Sequence, residues 1–236
     1  MATIAQRTGD VALELGNRSD ITSGVPSRVD VWYKNSYISI AMGFNFEQLE
    51  NSVVNGMSGA FQMQFPATAR AINSLVYLDQ NGGVTKPKFT DIESIRKSGD
   101  FAGLTSQPLT PGRPGLYTLY EGNLLFSPPF DSGNYQVILD TWDKPLIANP
   151  ISATVLNVPD DWLEAVDYGA IMRGHVFLGE PDKAMNVQRL LYGYTDPGSG
   201  KYIPGMLSQL QTRKQANAPA RDYGLQPKVS RTGYTR

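Results

Sequence analysis

Leu116-Tyr117-Thr118-Leu119-Tyr120-Glu121-Gly122-Asn123-Leu124-Leu125-Phe126-Ser127 is the stretch on which the fold turns. Two short runs of aliphatic and aromatic side chains flank Glu121-Gly122, the composition of two strands joined by a tight turn. Downstream, Pro128-Pro129 and Asp131-Ser132-Gly133-Asn134 make the next turn, and Tyr135-Gln136-Val137-Ile138-Leu139-Asp140-Thr141-Trp142 reads as a third strand. Three sequential strands predict an antiparallel meander.

Upstream of this block lies a loop rich in glycine and proline, residues 99–114. Before it, residues 89–98 predict a short helix, with Asp91 and Glu93 early and Arg96 and Lys97 late, matched to the helix dipole. Strand signals begin at residue 57. Met57, Phe61, Met63 and Phe65 alternate with Ser58, Gln62 and Gln64, and a second run covers residues 71–78 before the turn Asp79-Gln80-Asn81-Gly82-Gly83.

The period changes on both sides of the strands. Residues 3–16 predict a helix capped by Thr3, stopped at Gly16-Asn17 and weakened by Gly9. Residues 27–42 predict a stronger one. Val29, Trp32, Tyr33, Ser36, Tyr37 and Ile40 recur at three and four, Ser27 with Asp30 resembles a capping box, and Gly43 ends it. After the strands, residues 159–178 predict a helix with Pro159 in its first turn beside Asp160 and Asp161. Pro181-Asp182 opens another, Asp196-Pro197-Gly198-Ser199-Gly200 is a break, and residues 203–216 form a last short helix. The fold class is therefore α+β. Helices from 1–56 and 150–200 form one bundle, 57–149 is a β-rich insertion, and 201–236 is an extended C-terminal arm.

Composition narrows the function classes. A hydrophobic fraction of 41% with 18% charged residues belongs to a folded chain, and Gly (23) and Pro (16) predict many turns. The net charge of −1 gives no general pull towards nucleic acid or membrane. No cysteine is present, which excludes disulfides, thiolate metal sites and cysteine nucleophiles. No run of about 18 apolar residues exists to span a membrane. Residues 1–10 lack a charged-then-apolar signal pattern, so the expectation is synthesis and first use in the cytoplasm.

Catalytic constellations are scarce. His175 is the single histidine, so any Ser–His–Asp arrangement must use it, and it falls within a helix. A metal site needing two histidines is excluded. The acidic pairs Asp160-Asp161, Asp140 with Asp143, and Asp91 with Glu93 could in principle serve hydrolysis, but Asp160-Asp161 has a simpler task at a helix N-terminus. Gly82-Gly83 lacks the Lys-Ser/Thr of a phosphate loop. Tyr117, Tyr120, Phe126, Tyr135 and Trp142 could stack a sugar or a base, although strand aromatics commonly pair within a core. No enzyme activity and no cofactor are expected.

From Asn217 onward apolar periodicity ends. Arg213, Lys214, Arg221, Lys228, Arg231 and Arg236 are opposed only by Asp222. Such a tail can contact phosphates, dock on another protein or remain solvated. The spaced anchors Tyr223, Leu225, Val229 and Tyr234 favour docking by coupled folding.

Taken together, the chain resembles the head-to-tail adaptor (neck, or connector) proteins of short-tailed bacteriophages, the podovirus type. The likeness rests on Val29-Asp30-Val31-Trp32-Tyr33-Lys34-Asn35-Ser36-Tyr37 in the second helix, and on Leu124-Leu125-Phe126-Ser127-Pro128-Pro129. It continues through Tyr135 to Asp143-Lys144-Pro145-Leu146, and Val158-Pro159-Asp160-Asp161-Trp162 opens the next helix. It covers most of residues 1–195. Where the family often places more arginines, this chain has Asp143-Lys144-Pro145.

The resemblance implies a structural virion protein of the neck, assembled in the host cytoplasm into a ring, typically of twelve copies, under the portal protein. Such a ring extends the channel through which genomic DNA passes without specific binding, and it offers tail or nozzle proteins an attachment site. By the same likeness the segment from Arg213 to Arg236 is the portal-docking arm, carrying Arg213, Lys214, Arg221, Tyr223, Leu225, Lys228, Val229, Arg231, Tyr234 and Arg236. Trp32, Tyr33, Tyr37 and Trp162 are expected to serve subunit packing. The rival expectations are another virion component, such as a tail or head-decoration protein, a carbohydrate-binding β-module, and a hydrolase.

Overall fold

A computed structural model describes residues 3–97, 110–147, 151 and 156–217. Helix α1 (Ile4–Glu14) starts at a capping box: the Gln6 N–H donates to Thr3 Oγ1 at 3.2 Å, and the Thr3 N–H donates to Gln6 Oε1 at 2.7 Å. A short helix α2 (Ser19–Thr22) leads to α3 (Arg28–Gly43), whose Ser27–Asp30 capping box is the one the sequence predicts. These boxes satisfy backbone donors that a helix start leaves orphaned.

Two four-stranded sheets follow. The first has the order β1 (Glu50–Met57), β8 (Tyr135–Asp143), β3 (Ala69–Leu78), β4 (Val84–Thr85). The second has the order β2 (Gln62–Gln64), β7 (Asn123–Ser127), β6 (Leu116–Tyr120), β5 (Lys88–Phe89). The hairpin β6–β7 turns at Glu121-Gly122 as expected, with Leu119 opposite Leu124. Leu75, Tyr77, Val137 and Leu139 of one sheet share a core with Met63, Tyr117, Leu124 and Phe126 of the other. The alternation along each strand decides which side chains enter that core.

The expected meander is corrected here. β8 does not lie beside β7; it crosses to the other sheet and pairs antiparallel with β1 and β3. Pro128 and Pro129 have no N–H to continue a ladder. The fully buried Phe130 is then driven between the sheets, its ring 4.9–5.2 Å from Tyr135, Phe126 and Tyr77.

Other boundaries move as well. β1 begins at Glu50, inside the stretch expected to be helical. The helix expected over 89–98 begins only at Ile92, as α4 (Ile92–Lys97), because Lys88 and Phe89 pair in parallel with β6. The last short helix expected over 203–216 forms as α7 (Met206–Asn217), but residues before it pair as β10 (Tyr202–Pro204) with β9 (Gly193–Thr195), so the arm expected to be extended from 201 is folded as far as 217. Gly193 makes that hairpin feasible: its φ is +90°, and a Cβ there would meet the Ile203 carbonyl and the Gly205 amide.

Helices α5 (Leu163–Phe177) and α6 (Pro181–Tyr192, with Pro181 in the first turn) return the chain to α1 and α3. Pro159 is extended and precedes a 3-10 turn, Asp160–Trp162, that opens α5. A single apolar core joins Val11 and Leu15 of α1, Tyr33, Tyr37 and Ile40 of α3, Trp162 and Val166 at α5, Leu191 of α6 and Leu207 of α7. The α3–α5 approach is close because Gly169 offers no Cβ: the Ser36 hydroxyl fills that space and donates to the Val166 carbonyl at 2.7 Å. Leu15 sits in a similar notch at Gly174. No helix among the described residues is long and apolar enough to cross a membrane.

Candidate functional site

The residues expected to carry function are distributed as follows. Tyr33 and Tyr37 are fully buried and Trp162 is 3% exposed, all in the helical core of their own chain. The surface that Tyr33, Tyr37 and Trp162 pack against is therefore supplied from within the chain, which is a correction to their expected role in subunit packing. Trp162 packs its ring 4.6 Å from Phe44 and 4.9 Å from Phe46, the residues that leave α3. Trp32 is half-buried, 5.4 Å from Phe177, and Arg28 lies over the same Phe177 ring at 4.5 Å. In the expected arm, Arg213 is exposed on α7 and Lys214 belongs to the same helix. Arg221, Tyr223, Leu225, Lys228, Val229, Arg231, Tyr234 and Arg236 lie outside the described residues.

The candidate catalytic groups have structural partners. His175 Nδ1 stands 2.7 Å from Glu180 Oε2, and Lys183 Nζ donates to the other carboxylate oxygen at 3.0 Å, which holds the corner between α5 and α6. The Glu180 carboxyl is held below its ordinary range by those bonds, from Lys183 first and His175 next. Asp91 caps α4 by accepting from the Ser94 backbone and hydroxyl at 2.8 and 2.6 Å. Asp140 accepts from Ser74 at 2.5 Å, whereas Asp143 accepts from Thr141 at 2.9 Å and Asn51 at 3.2 Å. Three residues apart on one strand, these two aspartates project from opposite faces and do not converge. Of the five sheet aromatics, Tyr117, Phe126 and Tyr135 are buried between the sheets, so only Tyr120 and Trp142 remain half-exposed. A flat stacking platform does not form.

Two groupings emerge that sequence reading did not find. The first is a partly buried cluster joining α1, α3 and α5. Arg7 Nη1 donates to Asp167 Oδ2 at 2.5 Å, and the Tyr33 hydroxyl lies beside the same carboxylate. Asp167 Oδ1, the Tyr33 hydroxyl and Arg7 Nε are buried without a well-formed hydrogen bond. Burial pushes the Asp167 carboxyl up to about 6, with Asp10 adding to the rise and Arg7 opposing it. Burial also pushes the Tyr33 phenol well above its ordinary range, with Asp167 reinforcing the shift.

The second grouping sits at the two ends of α3. At its start, the loop before Ser27 carries Val25, 94% exposed, and Gly24 of that loop lines an open hollow of about 500 Å³ together with Asp10 and the exposed Leu13 of α1. Asp10 and Glu14 are exposed on the same helix. At its other end, Ile40, Phe44, Tyr192, Leu207, Ser208 and Gln211 enclose a mostly apolar hollow of about 260 Å³. Arg173 borders this hollow, donating to Ser39 Oγ at 3.0 Å. Arg70 of β3 reaches the same end, donating to the Met42 carbonyl, to the Phe44 carbonyl at 2.8 Å and to Asn45 Oδ1 at 2.9 Å. Arg70 thereby covers carbonyls left open where α3 ends and ties the sheets to the helices.

The chain matches no protein-family model, and comparison with curated proteins finds no relative.

Proposed function

We propose that this chain is a structural virion protein, the subunit of a head-to-tail adaptor ring in a short-tailed phage. In this reading it assembles beneath the portal, extends the channel for genomic DNA and presents its sheet module to tail or nozzle proteins. Its place is the virion neck, and it acts as a building part without catalysis.

One observation carries the reading. The sheet module is inserted in a helical unit whose two halves come from opposite sides of it: α1 and α3 precede it, while α5, α6 and α7 follow, and both halves share one core. That element order is the one the resemblance implies. A ring needs two different patches on each subunit, one for each neighbour, and the two ends of α3 differ in shape and in charge. The basic segment beyond α7 would be the arm that engages the portal, gaining strength because many arms act together.

Retention on immobilised portal protein tests this. The full chain should be retained and a chain ending at Asn217 should be lost to the wash. Retention of neither form overturns the adaptor reading, and equal retention of both overturns the arm.

A further inference from the structure

The ring reading leaves open which surfaces of neighbouring copies meet. We propose that the Val25 loop of one copy seats in the hollow between α3, α6 and α7 of the next, with Asp10 and Glu14 of the first facing Arg70 and Arg173 of the second. This inference rests on the adaptor reading and names its subunit contact.

Shape is the first argument. Val25 is a nearly fully exposed apolar knob, and Leu13 stands exposed across the open hollow on its α1 side. The hollow of about 260 Å³ has Ile40, Phe44 and Leu207 in its wall, with the half-exposed Tyr192 beside them. It has room for a valine and part of a neighbouring side chain. Burying such a knob removes apolar surface from water on both copies.

Charge is the second, and it commits the occupant to a copy of this chain. Asp10 and Glu14 are exposed at the knob end, and among the described residues neither has an ion-pair partner. At the hollow, Arg70 and Arg173 likewise pair with no described carboxylate, and the Nε of each is buried without a partner. Two uncompensated carboxylates at one end of the subunit answer two uncompensated guanidinia at the other. Such complementarity sets the orientation in which the two copies meet.

Geometry is the third. The knob precedes the first turn of α3 and the hollow lies at its last turn. A helix of 16 residues separates them by about 24 Å. One subunit cannot fill its own hollow, and the contact is head-to-tail, the kind that propagates until a ring closes.

The absence of native cysteine makes the test direct. Val25→Cys and Ser208→Cys chains are prepared separately, mixed, and treated with a short bis-maleimide. The contact predicts a covalent dimer in the mixture that is absent from either variant alone, and no larger species. A chain carrying both substitutions should give a ladder of multimers. The dimer yield should drop between about 0.05 M and about 0.5 M salt, where screening shortens the reach of the charges. A second pair at the rim, Leu13→Cys with Gln211→Cys, should behave alike and guards against a local folding defect. A mixture that gives no more dimer than the separate variants overturns the contact, as does equal linking of Val25→Cys chains to themselves. If linking fails while the chain still binds the portal, the adaptor reading stands and this contact falls.

Discussion

Acidification should stabilise this protein through Asp167. Its carboxyl is pushed up to about 6 in the folded chain, against 3.8 for an unperturbed aspartate, because burial outweighs the pull of Arg7. A raised folded value means that the native state binds the proton more tightly than the unfolded state. The contribution is fully present below 3.8 and is lost as pH rises through 6. Between pH 7 and pH 4.5 the linkage amounts to about 2 kcal/mol, from about 1.4 kcal/mol per pH unit while the two states differ in protonation. The assay is urea unfolding followed by helical circular dichroism at the two pH values, on the wild type and on Asp167→Asn. The asparagine keeps the shape and removes the titration, so the wild type should gain about 2 kcal/mol more than the variant on acidification. An equal pH response of both proteins would mean that burial does not raise the Asp167 carboxyl. A wild type that loses stability relative to Asp167→Asn would show that the Arg7 ion pair outweighs burial.

Two further perturbations probe the helical unit and its joint with the sheets. Gly169→Ala drives a methyl into the Ser36 hydroxyl and should cost about 1–3 kcal/mol, whereas Gly9→Ala in α1 meets no atom within 4 Å and should stabilise by about 0.5–1 kcal/mol; thermal melts of the two variants should move in opposite directions. Arg70→Met leaves the Phe44 carbonyl and Asn45 without their donor and should cost about 1.5–3 kcal/mol, read as a lower urea midpoint, and an unchanged midpoint would show that Arg70 does not secure the joint.

How much of this was legible in the chain differs from element to element. The capping boxes at Thr3 and Ser27 and the Pro181 start are local signals, and each lies where the sequence places it. The Glu121-Gly122 hairpin is equally local, with Glu121 at φ +48° and Gly122 at φ +76°. β1 was hidden because Asn51, Ser52, Asn55 and Gly56 are poor strand formers; the strand is held by its eight-residue pairing with β8, not by propensity. The neighbour of β8 was hidden for a different reason. Alternation tells which side chains face a core but not which strand lies alongside, and the decision falls to Pro128-Pro129 and the anchoring of Phe130. At the candidate site, Arg70 and Arg173 gave no signal because their partners are carbonyls and hydroxyls far away in sequence. Val25 gave none because a lone valine in a loop has no period. Trp32, Tyr33 and Tyr37 recur at helical spacing on α3, and that spacing marks a packed face without saying whether the surface it meets belongs to the same chain.

Assembly beneath a portal would change the mass of the portal particle by a fixed amount. Light scattering on portal protein mixed with excess chain should show a gain close to twelve times 25.9 kDa per portal ring. A chain that ends at Asn217 should add no mass. If the full chain also leaves the portal mass unchanged and sediments as a monomer alone and in the mixture, this protein is not an adaptor subunit.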